Sequence, residues 1–180
     1  MGIRRSDLQP LVVSASFDRP SESPIVTYAS GDLVANSTTL ANVAPLTFTF
    51  PADSTPGNQT AKADKSLLRI ERVMILKSST TTTNATFRVH FLTQNPCSTS
   101  PLGLTNADNG AISFNKAGYV GYVDITAMIA MKDGAAGFAW PTGAMTSPEE
   151  ATLYAFLEVR GAYVPASGES FTVTVDALRI

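Results

Sequence analysis

Residues 87–97, FRVHFLTQNPC, hold the one histidine of this 180-residue chain, His90, and its one cysteine, Cys97. Imidazole and thiol are the side chains best suited to proton transfer, nucleophilic attack and metal ligation near neutral pH. Neither has the company such chemistry needs. A histidine that activates a nucleophile requires a Ser or Cys partner and an acid to orient its ring, and no G-x-S-x-G stretch is present. A histidine-based metal site within one chain would need several carboxylates to complete the ligand set. His90 alternates with Val89 and Phe91, which places it on the polar face of a strand as a surface or interface residue. Cys97 lies between Pro96 and Ser98, with no basic neighbour to lower its pKa, and reads as a loop thiol.

Paired carboxylates are the remaining route to catalysis, because sandwiches host glycosidases. Glu149 and Glu150 are adjacent and would point to opposite faces of a strand. Glu158 and Asp176 fall on candidate strands and could face each other; the competing reading is a cross-strand polar face with Arg160 or Arg179. The stretch NADNG (106–110) resembles a fragment of a calcium loop but lacks the D-x-D-x-D-G spacing and the closing Glu. GAAG (134–137) lacks the lysine and following helix of a phosphate loop. The expectation is no catalytic, cofactor-binding or metal-ligating residue, and so no enzyme and no cofactor.

What the chain does have is strand periodicity. Leu46, Phe48 and Phe50 alternate with threonines, as do Phe171, Val173 and Val175, and Phe87, Val89 and Phe91 alternate with Arg88 and His90. Further strands are expected over 11–17, 25–29, 118–126 and 151–161, the last apolar on both faces and so central. Over 66–78 the apolar phase runs Leu68, Ile70 and then shifts to Val73, Ile75, the mark of a β-bulge. Gly, Pro, Asn and Asp cluster at 30–32, 54–59, 106–110, 132–137 and 165–170, where turns belong. Helical pattern is nearly absent; 104–113 and 125–134 each have room for one turn. SSTTTTNAT (78–86) reads as a solvated hairpin loop, and Trp140 falls in a loop.

About eight antiparallel strands with long connections predict an all-β fold, a two-sheet sandwich of jelly-roll type. An immunoglobulin-like sandwich ranks behind it, since the Cys…Trp…Cys framework is missing. Residues 1–24 read as an N-terminal arm with the first strand and a Pro-bearing link, and residues 25–180 as a single sandwich domain. The arm, or the strand at 11–17, could pair with a neighbouring sheet edge.

Composition narrows the function. Charged residues make up 16% of the chain and apolar residues 44%, against roughly 25% charged in ordinary soluble domains. Such a surface suits burial against partners. With a net charge of −2 and a pI near 5.3, nothing invites nucleic acid, Arg4 and Arg5 notwithstanding. No apolar run reaches the roughly 18 residues of a membrane span, and no secretory signal is visible. The loose myristoylation pattern at Gly2 and Ser6 and the sequons at Asn36, Asn58 and Asn84 depend on a host that reads them.

Four stretches together, TYASGDLVANS (27–37), FRVHFLTQNP (87–96), DNGAISFNKAGYVGYVDI (108–125) and RGAYVPASGESFTVTVDAL (160–178), resemble the capsid decoration, or cement, proteins of tailed bacteriophages, a jelly-roll family. The resemblance spans most of 25–180 and carries no chemical signature. It implies a protein made in the host cytoplasm that binds the major capsid protein on the outside of an assembled shell, often as a homodimer, and clamps neighbouring capsomers. Contact with the shell or a second copy is expected at Ile3, Arg4, Arg5, Leu8 and Trp140. The alternative is a phage tail-fibre or carbohydrate-binding module that stacks sugars on Trp140 with Tyr119, Tyr122 or Tyr154. A third reading is a carbohydrate-active enzyme using Glu158 and Asp176.

Overall fold

A computed structural model describes residues 9–51, 67–97, 106–114, 118–148 and 152–180. Glu149, Glu150, the turn at 54–59 and the arm residues Ile3, Arg4, Arg5 and Leu8 lie outside them. The described residues form eleven strands: β1 Gln9–Asp18, β2 Leu33–Val34, β3 Leu46–Phe48, β4 Leu67–Lys77, β5 Phe87–Leu92, β6 Tyr119–Ile125, β7 Ile129–Met131, β8 Gly134–Ala139, β9 Met145–Pro148, β10 Leu153–Val159 and β11 Ser170–Arg179. The 3-10 turn at Leu40–Asn42 joins them; the expected helical turn at 125–134 is instead strand and β-turn, and of the one at 104–113 the described part, 106–113, holds a β-turn and an isolated bridge.

One sheet runs β1-β11-β4-β8-β7, with β9 also on β4; the other runs β2-β10-β5-β6, with β3 also on β10. Every pairing is antiparallel. The principal strands alternate between sheets in the order of a jelly roll, β1-β11-β4-β8 against β3-β10-β5-β6. The count exceeds eight partly because two strands are interrupted. β2 and β3 both pair with β10, at Leu157–Glu158 and at Leu153–Ala155, with residues 35–45 looping out between them. β8 and β9 share β4 in the same way, and residues 140–144 loop out between them.

Strand β1 pairs with β11 from Gln9↔Arg179 to Asp18↔Ser170, so one of its edges is filled within the chain. The expected bulge in β4 is present: Asp176 pairs with Arg72 and Ala177 with Ile70, leaving Glu71 unopposed. That extra residue returns Leu68, Ile70, Val73 and Ile75 to the core. β10 is central, as its two apolar faces require. The core lies between the sheets and contains Phe48, Ile75, Phe87, Val89, Phe91, Ile125, Leu157, Phe171 and Val173. Phe87 meets Tyr163 and Phe171 edge-on, at 5.4 and 5.6 Å between centroids.

Three expectations are corrected. Residues 25–29 form no strand; they run extended, with the Tyr28 amide donating to Tyr163. The 78–86 loop joins β4 and β5, which belong to opposite sheets, so it crosses the sandwich end rather than closing a hairpin. GAAG is strand, not turn, and its glycine is a fitting requirement. A Cβ on Gly137 would lie 2.5 Å from the Ala127 carbonyl oxygen and 2.7 Å from the Ile125 side chain.

Candidate functional site

His90 is not at the surface. It is buried on the outer face of β5, because residues 106–114 fold across that face and bring Phe114 with them. Its ring stacks on Phe156 at 4.8 Å and meets Phe114 edge-on at 5.4 Å. Nε2 lies 2.6 Å from Glu158 Oε2, and Nδ1 lies 3.0 Å from the Tyr119 hydroxyl. These distances fit the Nε2–H tautomer, donating to Glu158 and accepting from Tyr119. The β10 register sets this up, since Phe156 pairs with His90 and Glu158 with Arg88. Glu158 also accepts from Arg160 at 2.5 Å. Beside it, Arg88 holds Asp124 through two hydrogen bonds, 2.7 and 2.8 Å, and lies 3.8 Å over the Tyr122 ring.

Burial pushes the His90 pKa below its ordinary value, outweighing the pull of the Glu158 carboxylate. Burial alone would raise Glu158, but the hydrogen bonds from His90 and Arg160 hold it below the usual carboxylate range. Burial pushes the Tyr119 phenol up to about 12. A His–Glu pair is the raw material of acid–base catalysis. Here both imidazole nitrogens are engaged by fixed partners inside the protein, so the ring pins β5, β6 and β10 together and offers no free nitrogen to a substrate. Sequence reading missed this cluster, although its opposite-charge and aromatic cross-strand pairs become legible once the register is known.

Glu158 and Asp176 do not face each other. They sit on different sheets, Glu158 with His90 and Arg160, Asp176 with Arg72 at 2.6 Å. The glycosidase pair is therefore not assembled. Nor is the aromatic platform: Tyr119, Tyr122 and Tyr154 belong to the five-stranded sheet, whereas Trp140 follows β8 in the other. Cys97 is half-buried against the cluster of Leu33, Ala35, Val43, Leu92 and Phe156, and burial pushes its thiol up to about 11. Protonated at neutral pH, it is a poor nucleophile.

The NADNG turn is structural. Asp108, with no exposed side-chain surface, accepts from Arg19 at 2.8 Å, the Tyr28 hydroxyl at 2.6 Å and the Ala35 amide at 2.7 Å. Those bonds use the oxygens that a calcium ion would need. A second buried group lies in the same end of the sandwich. Lys77 Nζ donates to Glu169 at 3.0 Å, to the Tyr163 hydroxyl at 3.0 Å and to the Ser79 carbonyl at 2.8 Å. Tyr163 donates to Glu169 in turn, and its ring stacks on Tyr28 at 6.4 Å, joining the two groups. Both are sealed from solvent. Among the described residues, no three of His, Cys, Asp and Glu gather closely enough to hold a metal ion.

The open feature lies around Trp140, which is 63% exposed. The bulge at Glu71 and the excursion at 140–144 face each other across a groove of about 320 Å³ lined by Arg69, Ile70, Glu71, Trp140, Pro141 and Gly143. Arg69 and Glu71 form an ion pair there, each about 40% exposed.

No protein-family model matches the chain, and no curated protein matches it. Among solved structures, the chain is similar to the cryo-EM structure of the giant freshwater prawn Macrobrachium rosenbergii extra small virus VLP. The identity is 12% and the TM-score 0.29, over 99% of this chain and 83% of that one. A likeness this low carries no argument about function.

Proposed function

We propose that this chain is a structural virion protein that sits on the outer surface of an assembled tailed-phage capsid, binds the major capsid protein and cements neighbouring capsomers. The observation that carries the reading is the internal use of the chain's one histidine, its one cysteine and the carboxylates of two candidate sites. His90, Cys97, Glu158 and Asp108 are all taken up by packing or hydrogen bonds within the fold. The surface is then the working part of the molecule. The resemblance of four stretches to decoration proteins points the same way. Many copies on a lattice make weak individual contacts sufficient. The arm residues Ile3, Arg4, Arg5 and Leu8 precede β1, an edge strand, and on this reading they reach the shell. Each exposed ion pair there contributes at most about 1 kcal/mol, and Ile3 or Leu8, fully buried, about 1.5–3 kcal/mol.

The test is co-sedimentation with capsids assembled from the major capsid protein of the virus that carries the gene. Saturable retention is expected. Deletion of residues 1–8 should weaken it, most at low salt where the ion pairs of Arg4 and Arg5 contribute, while the melting temperature holds. A full-length protein that never sediments with capsids sinks the reading. The groove beside Trp140 favours a second reading, a carbohydrate-binding module in which the indole stacks a sugar and the Arg69–Glu71 pair meets its hydroxyls.

A further inference from the structure

The outward positions of the six-stranded sheet are polar on one side and apolar on the other. On β1 and β11 they are Ser14, Ser16, Thr172, Thr174 and Asp176, with Pro10, Val12 and Leu178 as the apolar exceptions at one end. On β4, β8 and β7 the same face changes character. Met74 pairs with Phe138, Leu76 with Ala136, and Ala136 on its other side with Ile129. Met131 continues the row, and Trp140 meets Phe138 edge-on at 5.3 Å. Ile129, Met131, Phe138 and Trp140 are 68, 48, 49 and 63% exposed. A solvated sheet face should alternate to polar side chains at these positions.

We propose that this β4–β8–β7 face is a self-association surface, on which a second copy of the chain packs face to face across a twofold axis. The resemblance implied a homodimer without saying which face forms it; the exposed side chains assign that face, and its test needs no capsid. Area is the first argument. Residues of this size carry roughly 200 Å² each, as aromatic ones do, so at exposures of 68, 48, 49 and 63% the four present on the order of 450 Å² of surface, mostly apolar. With half-buried Met74, Leu76, Ala136 and Thr172, the face approaches the ~800 Å² that each partner gives to a standard interface.

Charge is the second argument. The apolar face carries no ionised group, and the charges at its margin come in opposite pairs: Arg72 with Asp176, Arg69 with Glu71, and Lys132 beside Asp133 at the β7–β8 turn. A twofold contact sets each patch against its own copy, and a patch with balanced margins meets itself without like-charge repulsion. A strongly acidic or basic partner would find nothing complementary here. Trp140 and Phe138 form the aromatic centre where interface energy concentrates.

Sedimentation velocity on the purified chain, over roughly three decades of micromolar concentration, reads the outcome with no capsid present. The wild type should form a concentration-dependent dimer, and emission from the chain's one tryptophan should shift to the blue as it forms. Phe138→Asp should raise the dissociation constant at least ~100-fold. Trp140→Ala should weaken the dimer without adding a charge, which keeps the test open if Phe138→Asp fails to fold. Val12→Asp, on the polar half of the same face, should leave it unchanged. A wild type that stays monomeric throughout overturns the proposal, as does a dimer indifferent to Trp140→Ala. A monomer whose tryptophan emission responds to cello-, chito- or galacto-oligosaccharides overturns it in favour of a saccharide site in the adjoining groove.

Discussion

The Lys77 ammonium lies 3.0 Å from the Glu169 carboxylate, and neither side chain has any exposed surface. The two residues stand 92 positions apart, at the end of β4 and just before β11. Tyr163 completes the group by donating to the same carboxylate. Removing one member of such a pair leaves a buried charge without compensation.

Lys77→Met and Glu169→Leu should each destabilise the chain by about 3–5 kcal/mol, whereas the double variant recovers much of the loss because no orphaned charge remains. Urea unfolding reads both, with coupling taken from the double-mutant cycle. Single variants that each cost under about 1 kcal/mol would show that water reaches the pair.

Stability should fall on mild acidification through His90. Burial lowers the folded pKa of His90 below 6.5, so below that pH the unfolded chain takes up the proton more readily than the folded one. The contribution is fully present above pH 6.5 and is lost as the pH drops toward the folded pKa. Glu158 and Asp124, both held below the ordinary carboxylate range, add their losses only at lower pH. His90→Gln should flatten the dependence between about pH 7.5 and pH 5.5. Urea midpoints for the two proteins that move in parallel over this range would count against the assignment. His90→Ala, which also empties the space between Phe156 and Phe114, should destabilise the protein outright.

Cys97 should resist labelling in the folded protein. Its thiol is shifted from 9.0 to about 11, which lowers the thiolate fraction at neutral pH about 100-fold. Reaction with a disulfide reagent should be about tenfold or more slower than in urea, since the scarcer thiolate is also the more nucleophilic. Equal rates in the two conditions would mean that the thiol is open to solvent.

The fold was legible in the chain to the extent that single strands announce their own inner face. The bulge in β4 could be read because Leu68, Ile70, Val73 and Ile75 record it within eight residues. β8 could not: with glycine and alanine where strands usually carry branched side chains, it resembles a turn, and only the neighbouring Ala127 and Ile125 explain why bulk is excluded. His90 was misplaced for a related reason. Alternation in β5 marks it as outward, and so it is, but outward means buried once residues 106–114 cover the face. The Arg19–Asp108–Tyr28 and Lys77–Glu169–Tyr163 groups join residues that only register and loop closure bring together. Nothing local in DRPSESP or PASGES signals an ion pair.

The pairing of β1 with β11 also governs when the chain can fold. Gln9 finds its partner in Arg179 and Asp18 its partner in Ser170, so β1 has nowhere to dock until β11 has left the ribosome. β11 sits between β1 and β4, so β1 joins the six-stranded sheet only through it. Closing loops of that length precedes the contacts that reward it, which makes folding slow and holds it back until β11 is made. Until then the inward residues Leu11, Val13, Ala15 and Phe17 of β1 and the inner face of β4 are open to other nascent chains. A protein needed in many copies at once would meet its own aggregation hazard in that interval, before it meets any partner.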